Sequence, residues 1–204
     1  MSGGLTLLCG ALDDCTVSRR EALRYLGVRT EAPPELERML DRAAELLKTC
    51  ASLKACYTRM PLEITGDTLD FGAFRLESKA LKKNLDGCSE SFLFAATLGV
   101  GADRQILRLS KTEPAFAAVF DAYCSAAVEG WCNFVNAKLA EGHTLRPRFS
   151  PGYGDVPLSL QTQVLAALDA QRKLGITLSD TYFMTPTKSV TAFAGIGGAD
   201  ADSK

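Results

Sequence analysis

Ser91-Phe92-Leu93-Phe94-Ala95-Ala96-Thr97-Leu98, then Gly99-Val100-Gly101, then Ala102 to Leu109, is the stretch from which the fold class is read. Its first eight residues are a nearly unbroken apolar run, the composition of a strand covered on both faces. The glycines end that strand, and the residues after them predict a helix. Thr112-Glu113-Pro114 then opens a second helix, with proline in the first turn, where its missing N–H has no helical partner to lose. That helix is expected to reach about Ala140 and to stop at Gly142. A buried strand followed by two consecutive helices does not fit the regular βαβ rhythm of a doubly wound sheet.

Working toward the N-terminus, Ser78 to Leu85 predicts a short helix. Glu63-Ile64-Thr65 and Thr68-Leu69-Asp70-Phe71 predict a hairpin turning at Gly66-Asp67. Pro33-Pro34 open a long helix, with Leu36, Met39, Leu40, Ala43, Leu46, Leu47 and Leu53 at helical spacing. Ser18 caps a helix through Tyr25 that Gly27 stops. Toward the C-terminus, His143 to Asp155 reads as a polar loop rich in proline and glycine. Leu158 to Leu174 reads as one helix stopped by Gly175, and strands are expected near Asp180–Met184 and Ser189–Ala194. Residues 1–15 and 197–204 are expected to be loosely ordered. The fold class is therefore α+β: a mixed, mainly antiparallel sheet with long helices packed against it, in a single domain over residues 1–204.

Composition narrows the function. The chain has 204 residues, 47% hydrophobic and 23% charged, which excludes whole-chain disorder. A net charge of -1 gives no field to attract nucleic acid or an anionic membrane. No apolar run approaches a membrane span, and Leu5 to Leu12 lacks the basic flank of a signal peptide. The seven cysteines show no Cys-x-x-Cys pair, and His143 is the single histidine. They are expected to be reduced thiols of a cytoplasmic protein without a metal or an iron–sulfur cluster.

Three places invite chemistry. Gly99-Val100-Gly101 sits at a strand-to-helix turn, where backbone amides can approach phosphate. It lacks the third glycine of a dinucleotide fingerprint and the lysine of a P-loop, which favours a plain tight turn. Arg148-Phe149-Ser150-Pro151-Gly152-Tyr153-Gly154-Asp155-Val156-Pro157 is the most unusual stretch. Prolines stiffen it, Gly152 and Gly154 permit close approach, Arg148 offers a fork of donors for a carboxylate, and Tyr153 a flat face. Two readings stand: a ligand loop, or a rigid turn whose Arg148 pairs with an internal acid. Glu129 faces away from the apolar stripe Phe116, Phe120, Tyr123, Ala127, Trp131, Phe134 and sits among Ala118, Ala122, Ser125, Cys132 and Asn136. That face either accepts a close loop or ligand, or is open to solvent.

Taken together, Arg148-x-x-x-Gly152-Tyr153, then Gly175-Ile176-Thr177-Leu178-Ser179-Asp180, Met184-x-Pro186 and Ser189-Val190-Thr191 resemble the reactivation domain of cobalamin-dependent methionine synthase. The resemblance runs from about residue 90 to 195 and includes Ala95-Ala96-Thr97-Leu98-Gly99 and the Asp121 to Asn133 helix. The N-terminal third, with Arg24-Tyr25-Leu26-Gly27, looks like the short, free-standing members of that family. The chain departs from the full-length enzymes after Tyr153, where Gly154-Asp155-Val156-Pro157 replaces a Pro-Asp-His-type segment. The resemblance implies a domain that binds S-adenosylmethionine and docks on a cobalamin-carrying methionine synthase or other corrinoid protein. There it would support reductive methylation of cob(II)alamin to methylcobalamin, with flavodoxin or ferredoxin supplying the electron. By the same resemblance Arg148 would bind the methionine carboxylate, and Ser150 and Gly152 would offer main-chain contacts. Glu129 would be the helix acid of the ligand site, and Tyr153 would sit between ligand and corrin. The alternatives are a non-catalytic accessory or docking module for a corrinoid-dependent methyltransferase and, third, an independent methyltransferase.

Overall fold

The structure, a computed structural model, describes residues 4–29 and 31–197. In chain order its elements are β1 (Thr6–Gly10), α1 (Arg19–Tyr25), α2 (Pro34–Cys50), β2 (Leu53–Pro61), β3 (Glu63–Thr65), β4 (Thr68–Asp70), β5 (Arg75–Glu77), α3 (Lys79–Asn84), β6 (Glu90–Thr97), α4 (Val100–Thr112), α5 (Pro114–Leu139), β7 (Thr144–Leu145), α6 (Gln161–Ala167), α7 (Ala170–Leu174), β8 (Thr177–Leu178), β9 (Met184–Thr185) and β10 (Ser189–Gly197). This is an α+β fold. Its main sheet runs β1-β2-β6-β10-β7 with every neighbouring pair antiparallel.

Alternation along β6 explains why its sequence is apolar throughout. Phe92, Phe94 and Ala96 enter one core with α1, α2, α4 and α5. Leu93 and Ala95 enter a second core with α3, α6, α7 and the Phe71–Phe74 turn. Strand β10 divides likewise, with Ala192, Ala194 and Ile196 on the first side and Phe193 on the second, where it meets the Phe71 ring at 5.0 Å. Helix α5 is buried on most of its circumference, and Trp131 donates from Nε1 to the Lys54 carbonyl at 3.1 Å, tying it to β2. Arg42 of α2 grips Glu113 through two bonds of 2.6 and 2.9 Å at the start of α5.

Several expectations need correction. Residues 6–10 are not loose: the apolar run pairs as edge strand β1 on β2, Leu7 opposite Cys56. Residues 1–3 and 198–204 lie outside the described residues, and Gly197 ends β10. Leu53 does not continue α2, which stops at Cys50; it begins β2, a central strand that Lys54 and Arg59 disguise in the sequence. The predicted helix 158–174 breaks at Asp169, which adopts the left-handed conformation (φ 47°) that a short polar side chain tolerates. Asp180–Met184 is mostly a turn because the Ser179 hydroxyl accepts the Thr181 and Phe183 amides at 3.3 and 3.1 Å, displacing ladder bonds. The predicted hairpin is present, and β5 adds a third strand to it.

Candidate functional site

The loop after β7 is sewn to the sheet edge before it reaches the site. The Arg146 amide donates to Gly195 O at 2.8 Å, and Phe149 and Phe193 exchange both backbone bonds at 3.0 and 2.8 Å. Because neighbouring residues in extended chain point to opposite sides, this bridge decides where Arg148 goes. Phe149 packs into the second core, so Arg148 is delivered to the other face, over α5.

There the Arg148 Nη2 donates to Asn133 Oδ1 at 2.8 Å and to Glu129 Oε2 at 3.2 Å. Its Nη1 is buried without a hydrogen-bond partner. Arg148 is 23% exposed and Glu129 41%. A half-exposed pair of this kind is worth about 1 kcal/mol or less, so a stronger acceptor can compete for the guanidinium. An unmet buried donor costs about 1–3 kcal/mol, and more when it carries charge. Beneath Arg148 on the same helix lies Cys132, whose thiol is pushed up to about 12 by burial, with the guanidinium acting in the opposite sense.

The chain then turns tightly. The Tyr153 amide donates to Ser150 O, the Gly152 amide to Val156 O and the Val156 amide to Tyr153 O, at 3.2, 3.0 and 3.1 Å. Gly154 has φ 57°, and a Cβ there would lie 2.7 Å from the Ala80 Cβ, so the turn rests directly on α3. Asp155 clamps it: the carboxylate accepts the Ser78 hydroxyl and the Lys79 and Ala80 amides, the latter two at 2.8 and 3.2 Å. The Ser78 hydroxyl leads in holding the Asp155 carboxyl below its ordinary range, assisted by those amides. Tyr153 projects from this rigid base with 70% of its surface exposed.

Glu129, Arg148, Phe149, Ser150, Tyr153, Val190 and Ala192 line a cleft of about 220 Å³. Four of the sequence-derived residues, Glu129, Arg148, Ser150 and Tyr153, therefore meet. Gly152 does not line the cleft; it shapes the turn (φ 91°). Arg148 pairs with an acid of the chain, Glu129, as the rigid-turn reading of this loop expected. Asn133 was missed, although it stands four residues after Glu129 and so shares its helix face. A larger groove of about 490 Å³ along α6, α7 and β8 has Asp169 as its charged lining residue, already paired with Arg172.

The other candidates fall away. A Cβ on Gly101 would lie 2.0 Å from the Cys50 carbonyl oxygen, so the Gly99–Gly101 turn is packed against α2 rather than open to a phosphate. Asp103 there accepts the Thr187 amide and hydroxyl at 2.7 and 2.8 Å. His143 lies edge-on to Phe92 at 5.5 Å and does not line the cleft. Among the described residues no cluster of three His, Cys, Asp or Glu side chains is arranged to hold a metal, and no helix is long and apolar enough to cross a membrane.

No protein-family model matches the chain, and no curated protein sequence matches it. Among solved structures it is similar to the crystal structure of the MetH reactivation domain bound to AdoHcy, with a TM-score of 0.72. The match covers 98% of this chain and 80% of that one at 14% identity, a likeness of fold.

Proposed function

We propose that this chain is an S-adenosylmethionine-binding reactivation domain that docks on a corrinoid protein and supports reductive methylation of cob(II)alamin. The observation that carries the proposal is the meeting of Arg148 with Glu129, Ser150 and Tyr153 around one cleft. The Arg148 guanidinium, paired through Nη2 with Asn133 and a partly exposed Glu129, can exchange that weak pairing for a carboxylate, the group at the amino-acid end of S-adenosylmethionine. The fold shared with a reactivation domain crystallised with AdoHcy supports the same ligand class.

The chemistry supplied from outside is one-electron reduction of the partner's cobalamin by a flavodoxin or ferredoxin, then transfer of the sulfonium methyl to cobalt, leaving S-adenosylhomocysteine. This chain's part is positioning. Arg148 fixes the carboxylate, Glu129 balances the charge beside it, and Ser150 offers backbone groups. Tyr153, held out from a clamped turn, presents a firm flat surface toward the partner.

Calorimetry with S-adenosylmethionine tests the proposal. Unmutated protein binds it, and Arg148→Ala weakens binding about 10- to 150-fold, the equivalent of a charge-assisted bond of about 1.5–3 kcal/mol. No binding at millimolar ligand would reject the assignment in favour of an accessory docking module. Methyl transfer without added cob(II)alamin protein and reductant would point to an independent methyltransferase.

A further inference from the structure

The two edges of the main sheet are built differently. At one edge β7 is two residues long, and the chain beyond it stays on β10 through the Arg146 amide to Gly195 O and the Phe149–Phe193 exchange. At the other edge stands β1, and among the described residues no strand pairs with its outer side. An open edge offers its backbone N–H and C=O groups to any passing strand, and proteins blunt it with charge, proline, a bulge or a covering element. Strand β1 has none of the first three. From Ser2 to Leu12 the sequence contains no charged residue and no proline. Its pairing with β2 runs from Thr6 opposite Tyr57 to Gly10 opposite Leu53 without a skipped residue.

Alternation divides the side chains of β1. Leu8, opposite Ala55, packs on the first core. Leu5 packs on the second, so Leu7 and Cys9 share its side of the sheet. On that side the cover ends one strand short. Cys56 of β2 is fully buried, and its thiol reaches Leu168 O, between α6 and α7, at 3.6 Å. Leu7, opposite Cys56, is 47% exposed, and Cys9 is exposed as well. Leu5, Leu7 and Cys9 thus form an apolar row of period 2 that is symmetric about Leu7. An antiparallel neighbour centred there has to match that row with an unpaired edge of its own. A second copy of this chain supplies such an edge, with Leu7 facing Leu7, Leu5 facing Cys9 and no charge to repel its twin.

We propose that β1 is a homodimerisation edge, which pairs antiparallel with β1 of a second copy, Leu7 opposite Leu7, and joins the two five-stranded sheets into one. The two-fold axis of such a pair is perpendicular to the sheet, so both copies keep their α5 sides on the same side. Strand β10, whose Val190 and Ala192 line the Arg148 cleft, is three strands from the joint, about 14 Å at the usual strand spacing. The dimer leaves both clefts open, and it stands or falls independently of the function proposed above. One short strand makes a small interface, so the association is reversible and depends on concentration.

Analytical ultracentrifugation of the full chain under reducing conditions, from about 1 µM to about 1 mM, covers the range in which a small interface assembles. The unmutated protein passes from monomer to dimer across that range. Leu7→Lys sets two ammonium groups against each other at the joint and weakens the dimer about 10-fold or more. Its melting temperature at low concentration stays near that of the unmutated protein, because the side chain it replaces is half-exposed. Oxidation reads the register. Leu5→Cys puts a thiol opposite Cys9 of the second copy, and mild oxidation yields a covalent dimer whose peptide map links position 5 to Cys9. Thr6→Cys, which comes opposite Leu8, yields no link through position 6. A monomer throughout the concentration range, or a dimer that Leu7→Lys leaves equally tight, overturns the proposal. Failure of oxidised Leu5→Cys to link position 5 to Cys9 overturns it too.

Discussion

Two glycine-bearing turns in this molecule look alike in sequence and differ in everything that surrounds them. Gly99-Val100-Gly101 and Gly152-Tyr153-Gly154 each place two glycines one residue apart, each ahead of helical sequence, with the first glycine at positive φ (80° and 91°). At the first turn the space a side chain would need is taken by the Cys50 carbonyl, and Asp103 is engaged by Thr187. At the second, one side rests on Ala80, and the other leads to a cleft lined by Arg148, Glu129 and Tyr153. Closely spaced glycines report that backbone comes near something. Whether that something is another element of the protein or a ligand depends on what packs opposite.

The sharpest way to break this contrast is Gly101→Ala. A methyl group 2.0 Å from a backbone oxygen requires α2 and α4 to separate, so a loss of about 3 kcal/mol is expected, read from denaturant unfolding. A loss below about 1 kcal/mol would mean that the first turn has room after all. Asp155→Asn probes the clamp of the second turn and has a smaller, pH-dependent effect. The folded Asp155 carboxyl lies below its ordinary 3.8. Its contribution is therefore full above that value and is lost as pH falls through the lower folded value. Melting temperatures of the unmutated protein and Asp155→Asn should differ at pH 7 and converge toward pH 2; a constant gap would remove Asp155 as the titrating clamp. The smallest stability effect is expected for Tyr153→Ala, under about 0.5 kcal/mol, because the ring is 70% exposed. Under the proposed function the same variant loses most reductive methylation of a cob(II)alamin partner. A large fall in melting temperature would instead make Tyr153 part of the scaffold.

The contrast extends to the long helix beneath the site. On α5, Phe116, Phe120, Tyr123, Ala127 and Trp131 are buried as their spacing requires. The opposite side is only in part a solvent face: Ala118 is exposed, whereas Ala122 and Cys132 are buried and Glu129 is half-covered. Burial on most of the circumference left the stripe a poor guide to what Glu129 meets, and the residue that shares Arg148 with it is Asn133 rather than Cys132 or Asn136.

What the amino-acid sequence by itself determined is local. Ser18 and Pro34 start helices, Gly66-Asp67 turns a hairpin, and β6 reads as buried because both its faces are apolar, all consequences of a residue and its near neighbours. The composition of the Arg148–Pro157 loop likewise announced a rigid loop with a guanidinium and an aromatic ring. What only tertiary structure decided depends on partners distant in the chain. Strand β2 carries Lys54 and Arg59 and becomes central only through pairing with β1 and β6. Asp169 breaks a helix that its sequence would continue. Arg148 faces α5, not the second core, because Phe149 pairs with Phe193, forty-four residues away. Local conformational preference is written into adjacent residues, whereas the meeting of Arg148, Glu129 and Asn133 is set by sheet register and helix crossing, which no single stretch contains.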